Sequence, residues 1–273
     1  MYADDTHCTI ASANPKDLFE NTQKEIVNIA EWMRTNKLSA NPQKTEFMII
    51  GNCKQLKKID DIPKLELNKA EIKQVQKTKS LGIIVDENLS WKEHFKQVKS
   101  KVSNGLAALK KLKNILPQSK LCQVYRALVE SHMRYANVIW GSLPESKLQA
   151  LQKLQNRAWS LINTAKQKDS WNHNWMDVKQ LIDYDRSVMM YKILHKRCPE
   201  SLTNNFEKRS TISMRKTRNS NDLNIPKVRL EQTKKGFNFS GVKVWNKIPA
   251  NIREKPSLSQ FKNHLKKHLE LEK

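Results

Sequence analysis

Near residue 90 the spacing of apolar residues changes, and this change confines the chain to two kinds of architecture in series. Before it, apolar residues come in short runs bounded by turn formers: Phe47-Met48-Ile49-Ile50-Gly51, Lys64 to Leu67, and Ser80-Leu81-Gly82-Ile83-Ile84-Val85-Asp86. Runs of that length, rich in β-branched residues, predict strands, and Gly82 allows a close backbone approach. Ahead of them, Asn14-Pro15 supplies a capping side chain and a first-turn proline. Leu18, Phe19, Thr22, Ile26, Ile29, Ala30 and Met33 then keep a helical stripe to about Asn36. His7 to Ser12 reads as the return strand of a hairpin. The first 90 residues are therefore expected to be an α+β piece, its helix packed on a sheet.

From Trp91 the period is helical. Phe95, Val98, Val102, Leu106, Leu109 and Leu112 predict one amphipathic helix before Pro117, interrupted only by Gly105. Leu121, Val124, Tyr125, Leu128, Val129 and His132 predict a second, which leads to Tyr135-Ala136-Asn137-Val138-Ile139-Trp140-Gly141. A third runs from about Glu145 to Lys166 and a fourth from Met176 to Arg197. On the third, Lys147, Lys153 and Arg157 lie opposite the apolar stripe, where they could follow phosphates or simply face solvent. Pro199 to Asn224 is polar and basic, with Lys208-Arg209 and Met214-Arg215-Lys216-Thr217-Arg218, and is expected to be a flexible linker able to touch phosphates. Phe237, Phe239, Val242, Val244 and Trp245 stand among lysines; they suit docking of a tail onto a core better than stacking on bases. A last helix is expected from about Leu258 to Leu269.

Charge follows the same division. Residues 1–90 carry 13 Lys and Arg against 13 Asp and Glu, so the whole formal charge of +23 falls on Trp91 to Lys273, with 37 basic against 14 acidic residues. A surplus confined to one part of a chain points to a polyanion, nucleic acid before membrane, since no long apolar stretch or signal-like segment is present. A Lys-rich solvated surface is the plainer alternative. Cys8, Cys53, Cys122 and Cys198 are scattered without a C-x-x-C pair, and read as reduced thiols of an intracellular protein, nuclear or cytoplasmic. His195 with Cys198, and His264 with His268, have helical ligand spacing but no partners nearby in sequence, so no zinc site is expected.

One acidic feature stands apart, the adjacent carboxylates of Tyr2-Ala3-Asp4-Asp5. Two acids in a short turn can offer oxygen ligands to Mg²⁺, or be no more than a polar turn.

Taken in order, the segments resemble the C-terminal half of the reverse transcriptase of a non-LTR retrotransposon of the jockey-like or CR1-like LINE kind. Tyr2-Ala3-Asp4-Asp5 resembles the catalytic-hairpin motif of the palm, and Asn41-Pro42-Gln43-Lys44-Thr45 the loop after the palm helix. Ser80-Leu81-Gly82-Ile83 resembles the primer-grip strand, with Ser80 where an aromatic is usual. Leu89-Ser90-Trp91-Lys92-Glu93-His94, Tyr125 to Ser131, Leu151 to Ala158, and Val244-Trp245-Asn246-Lys247-Ile248-Pro249 resemble the thumb, post-thumb and closing tail of such elements.

The resemblance implies a partial palm over 1–90, a helical thumb and post-thumb over 91–198, a basic linker over 199–232 and a C-terminal docking segment over 233–273. It further implies RNA-directed DNA synthesis with Mg²⁺ on Asp4 and Asp5, Lys44 assisting pyrophosphate departure, and Leu81 and Gly82 positioning the primer end. The RNA template and DNA primer, or their hybrid, would lie along Lys147, Lys153, Arg157, Lys208, Arg209, Arg215, Lys216 and Arg218. In such polymerases a further metal-binding acid and the fingers precede the catalytic hairpin, so these 273 residues alone are expected to be inactive.

Overall fold

A computed structural model describes residues 5–57, 59, 63–165, 175–212 and 221–271. The fold is α+β, and the chain divides into two compact units, Met1–Glu93 and His94–Lys273.

The first unit is organised on α1, Pro15–Thr35, which begins where the sequence predicts: the Asn14 side chain accepts from the Lys16 N–H at 3.1 Å, and Pro15 fills the first turn. Its apolar stripe points Phe19 inward with Ile26 and Ala30 beside it, against Leu65, Leu67 and Ile72. The strands under this helix are short. β1, Glu46–Phe47, runs parallel to β4, Lys73–Gln74; β2, Glu66–Leu67, pairs antiparallel with β3, Ala70–Glu71. A one-turn helix, α2, Cys53–Leu56, is capped by Asn52. β5, Lys77–Ser80, pairs antiparallel with β6, Ile83–Asp86.

Three expectations change here. Ser80 to Asp86 is not one strand, because the chain reverses at Leu81 and Gly82, whose φ values of 47° and 82° make the two-residue turn of a hairpin. Phe47 to Gly51 keeps ladder pairing only at its start. His7 to Ser12 forms no strand, and Asp5 makes a single β-bridge.

In the second unit, α3, Lys92–Leu112, buries Val98, Val102, Leu106 and Leu109. Gly105 does not interrupt it. A Cβ there would stand 2.4 Å from the Leu128 carbonyl oxygen, so glycine is what lets α3 cross the next helix at backbone contact. That next helix is α4, Gln118–Tyr125, continued by a π-helical turn, Arg126–Glu130, and by α5, Ser131–Arg134. Ala136, in the left-handed region at φ 51°, turns the chain into α6, Asn137–Trp140, where Trp140 is fully buried with its Nε1–H donated to the Tyr135 carbonyl at 2.8 Å.

α7, Glu145–Asn163, and α8, Val178–Leu194, follow. A capping box between Asp177 and Gln180 opens α8, and Gln152 on α7 accepts from the Val178 N–H. α8 is the central helix. Tyr191 stacks on Phe261 at 4.4 Å and donates its hydroxyl to the Lys255 carbonyl at 2.7 Å. The elements that follow α8 are α9, Glu200–Thr203; α10, Arg209–Ile212; α11, Glu231–Lys235; α12, Phe237–Lys247; α13, Ala250–Arg253; and α14, Leu258–Leu271.

The stretch expected as a flexible linker is pinned in its described parts. Leu223 is 1% exposed, its backbone N–H and carbonyl both bonded to the Asn246 side chain at 3.0 and 2.9 Å. Lys208 bridges to Leu223, and Arg253 pairs with Asp222 at 3.0 Å.

Candidate active site and nucleic-acid surface

Asn41-Pro42-Gln43-Lys44-Thr45 folds into a tight turn because Asn41 serves it twice. Its side chain accepts from the Gln43 N–H at 3.0 Å and its carbonyl from the N–H groups of Lys44 and Thr45 at 3.1 and 3.0 Å. Lys44 is thereby held exposed, two residues before β1. From β5, the Thr78 hydroxyl donates to the Glu46 carboxylate at 3.3 Å, tying the strand after this turn to the β5–β6 hairpin.

The hairpin also meets the N-terminal segment. His7, two residues after Asp5, lies with its Nε2 3.2 Å from the Ser80 hydroxyl, and Ser80 directly precedes the turn of Leu81 and Gly82. Leu81 is 47% exposed at the tip. Asp5 is exposed as well, while Asp4 lies outside the described residues. One hairpin therefore joins the segment of Asp5, the strand that follows Lys44, and the Leu81-Gly82 turn. His7 and Ser80 carry no role in the sequence reading. The available clue is Ser80 itself, a hydroxyl in a position where the resembled family has an aromatic.

In the second unit the expected basic residues divide. Lys153 and Arg157 are exposed on α7, whereas Lys147 is half-buried with its ammonium 5.5 Å from the Phe95 ring centroid, so part of its charge serves packing. Lys208 and Arg209 flank the Leu223 anchor, Lys208 exposed and Arg209 half-buried; Arg215, Lys216 and Arg218 lie outside the described residues. A further basic face escaped the motif reading: Lys92, Lys96, Lys99 and Lys110 stand exposed along one side of α3. The spacing of Lys92, Lys96 and Lys99 is the signal that could have shown it.

Two curated proteins of Drosophila melanogaster align with the chain. The probable RNA-directed DNA polymerase from transposon BS is 28% identical over 165 residues, 59% of this chain, and the probable RNA-directed DNA polymerase from transposon X-element is 23% identical over 164 residues, also 59%. Both relatives carry the name of a probable RNA-directed DNA polymerase from a transposon. This is the family that the sequence motifs resemble, and the chain spans 18% of the length of each relative. No family model and no solved structure matches the chain.

A polymerase of this family implies a divalent metal. Among the described residues no group of three or more His, Cys, Asp or Glu side chains comes together to hold one. Among the described residues no helix is long and apolar enough to cross a membrane.

The second unit also contains a pocket of about 350 Å³, lined by Arg126, Glu130, Arg134, Trp175, Met176, Leu181, Tyr184 and Lys266. The π-helical turn helps form it, since Arg126 and Glu130 are its first and last residues. Asp185 grips the Arg134 guanidinium at 3.0 and 2.5 Å, with Glu130 at 3.3 Å, and the Asp185 hydrogen bond holds that guanidinium protonated above its ordinary range. Arg134 in turn lies 5.4 Å from the Tyr184 ring centroid, and burial pushes the Tyr184 hydroxyl up, keeping it neutral. Trp175 packs 4.0 Å from Tyr125 and 5.3 Å from Trp159, centroid to centroid.

Proposed function

We propose that the chain is part of an RNA-directed DNA polymerase of the non-LTR transposon kind, its first 90 residues the end of the palm and its remainder the thumb and C-terminal region. The observation that carries this reading is the contact of His7 with Ser80. It joins the acid-bearing segment to the primer-grip-like turn, two features that polymerisation needs side by side, through residues 73 apart in sequence.

In this reading the primer 3′-oxygen forms a bond to the α-phosphorus of a deoxynucleotide as the bond from that phosphorus to the bridging α–β oxygen breaks. Leu81 and Gly82 hold the primer end. Lys44, exposed on its turn, offers positive charge to the departing pyrophosphate. Asp4 and Asp5 are assigned as carboxylate ligands to Mg²⁺, and the 273 residues alone are assigned no polymerase activity, as the family resemblance implies. The template–primer backbone runs along Lys153 and Arg157, with Lys147, Lys208, Arg209, Arg215, Lys216, Arg218 and the α3 lysines adding to the field.

Primer extension on the purified chain tests the assignment. The expected result is no incorporation with Mg²⁺; incorporation that disappears in Asp5→Ala would contradict it. A second reading, a nucleic-acid-binding protein without chemistry, is favoured by one observation, the confinement of the whole basic surplus to residues 91–273. The readings part if the chain is joined to a polymerase segment of a relative carrying fingers and the further acid: Mg²⁺-dependent synthesis lost in Asp5→Ala supports the first, and binding without synthesis supports the second.

A further inference from the structure

The pocket on the π-helical turn has no part in the polymerase chemistry. Its lining carries three cations, Arg126, Arg134 and Lys266, against one carboxylate, Glu130, with the rings of Trp175 and Tyr184 beside them. Arg134 is fixed by its ion pairs, and it fixes Tyr184 in turn. Arg126 is exposed, and the Lys266 side chain is 41% exposed with the Glu270 carboxylate 3.7 Å away. Solvent-accessible cations therefore stand at a cavity whose walls are rigid and partly aromatic. A π-helical turn within an α-helix recurs at functional sites, and the volume falls within the range of small-ligand pockets.

We propose that this pocket takes one nucleotide of a single-stranded nucleic acid, its base against Trp175 and Tyr184 and its phosphate at Arg126 and Lys266. Cations beside aromatic faces suit that unit, because every base has a π-face and every linkage an anionic phosphate. The inference deepens the nucleic-acid reading and rests on it for the identity of the anion. A free strand end or unpaired template leaving the duplex would supply such a nucleotide.

The test is equilibrium binding of a nucleoside 5′-monophosphate to the full chain, with the nucleoside and inorganic phosphate as controls. The monophosphate is expected to bind at least tenfold more tightly than either control, and Arg126→Glu with Lys266→Glu to weaken it at least tenfold. The same pair should leave the affinity for an RNA–DNA hybrid within threefold, since the duplex is assigned to α3 and α7. Photocrosslinking of 4-thiouridine 5′-monophosphate to the unsubstituted chain gives a readout independent of the variants' folding, with adducts expected at Trp175 or Tyr184. No monophosphate binding at millimolar concentration, binding unchanged in the double variant, or adducts only outside the pocket would overturn the proposal. If the hybrid fails to bind while the monophosphate binds as expected, the polymerase reading falls and the pocket stands.

Discussion

At Gly105 one hydrogen atom separates two helices. An added Cβ would sit 2.4 Å from the Leu128 carbonyl oxygen and 2.9 Å from Val129 Cγ2, and backbone cannot give way as a flexible side chain can. Alanine is the better helix former by about 1 kcal/mol, but overpacking of this kind costs about 1–3 kcal/mol or more. Gly105→Ala is therefore expected to lower stability by about 1 kcal/mol in urea unfolding, the middle of that cost less the helix gain, and an unchanged midpoint would show that the crossing has room for a methyl group.

His94 makes a second prediction at this scale. It is buried edge-on to Trp140 at 5.3 Å, and burial, then the Lys101 charge, lower its pKa below the ordinary 6.5. His132 shifts the same way for the same two causes. A histidine kept neutral in the fold contributes stability that is complete above the unfolded value and is lost as pH falls through the folded one. Urea midpoints should hold steady above about pH 7 and fall below about 6.5, and His94→Phe, which keeps a ring against Trp140, should flatten that fall. A midpoint independent of pH down to about 5 would contradict this.

Among elements, those specified by adjacent residues were legible in sequence. α1 begins at Asn14-Pro15 because cap and proline act within three residues, and α7 and α8 follow their apolar stripes. The β5–β6 hairpin was hidden because its turn begins at leucine, a residue that rarely takes a φ of 47°, where Asn or Gly would have announced the reversal. The π-helical turn left no signal, since it shifts the backbone ladder without breaking the apolar stripe. The stretch after Pro199 looked like a linker because its anchor is a single leucine held by Asn246, 23 residues away. Asn246→Ala removes both of those bonds and leaves buried backbone groups unpaired, at about 1–3 kcal/mol. Limited proteolysis between residues 199 and 232 is expected to quicken severalfold in that variant; an unchanged cleavage rate would mean that Asp222 and Arg253 hold the segment unaided.

Over the whole molecule, the division near residue 90 is where composition and architecture coincide: a neutral unit of short strands precedes a helical unit that carries the basic surplus. What sequence could not supply is proximity. The meeting of His7 with Ser80 joins residues 73 apart, and no pattern of spacing encodes it. The candidate site was legible as motifs, and the contacts between their segments only as structure.

The template–primer is assigned to the basic helices, and the affinity for an RNA–DNA hybrid across salt concentration tests that assignment most directly. Binding is expected at low salt, with log K falling linearly against log salt at a slope that reports several phosphates. Lys92→Glu, Lys96→Glu and Lys99→Glu together should lower that slope by about 2 to 3, at roughly one unit for each phosphate left without its lysine. Absence of binding at low salt to hybrid, RNA and DNA alike, or a slope unmoved by the triple substitution, would contradict the account.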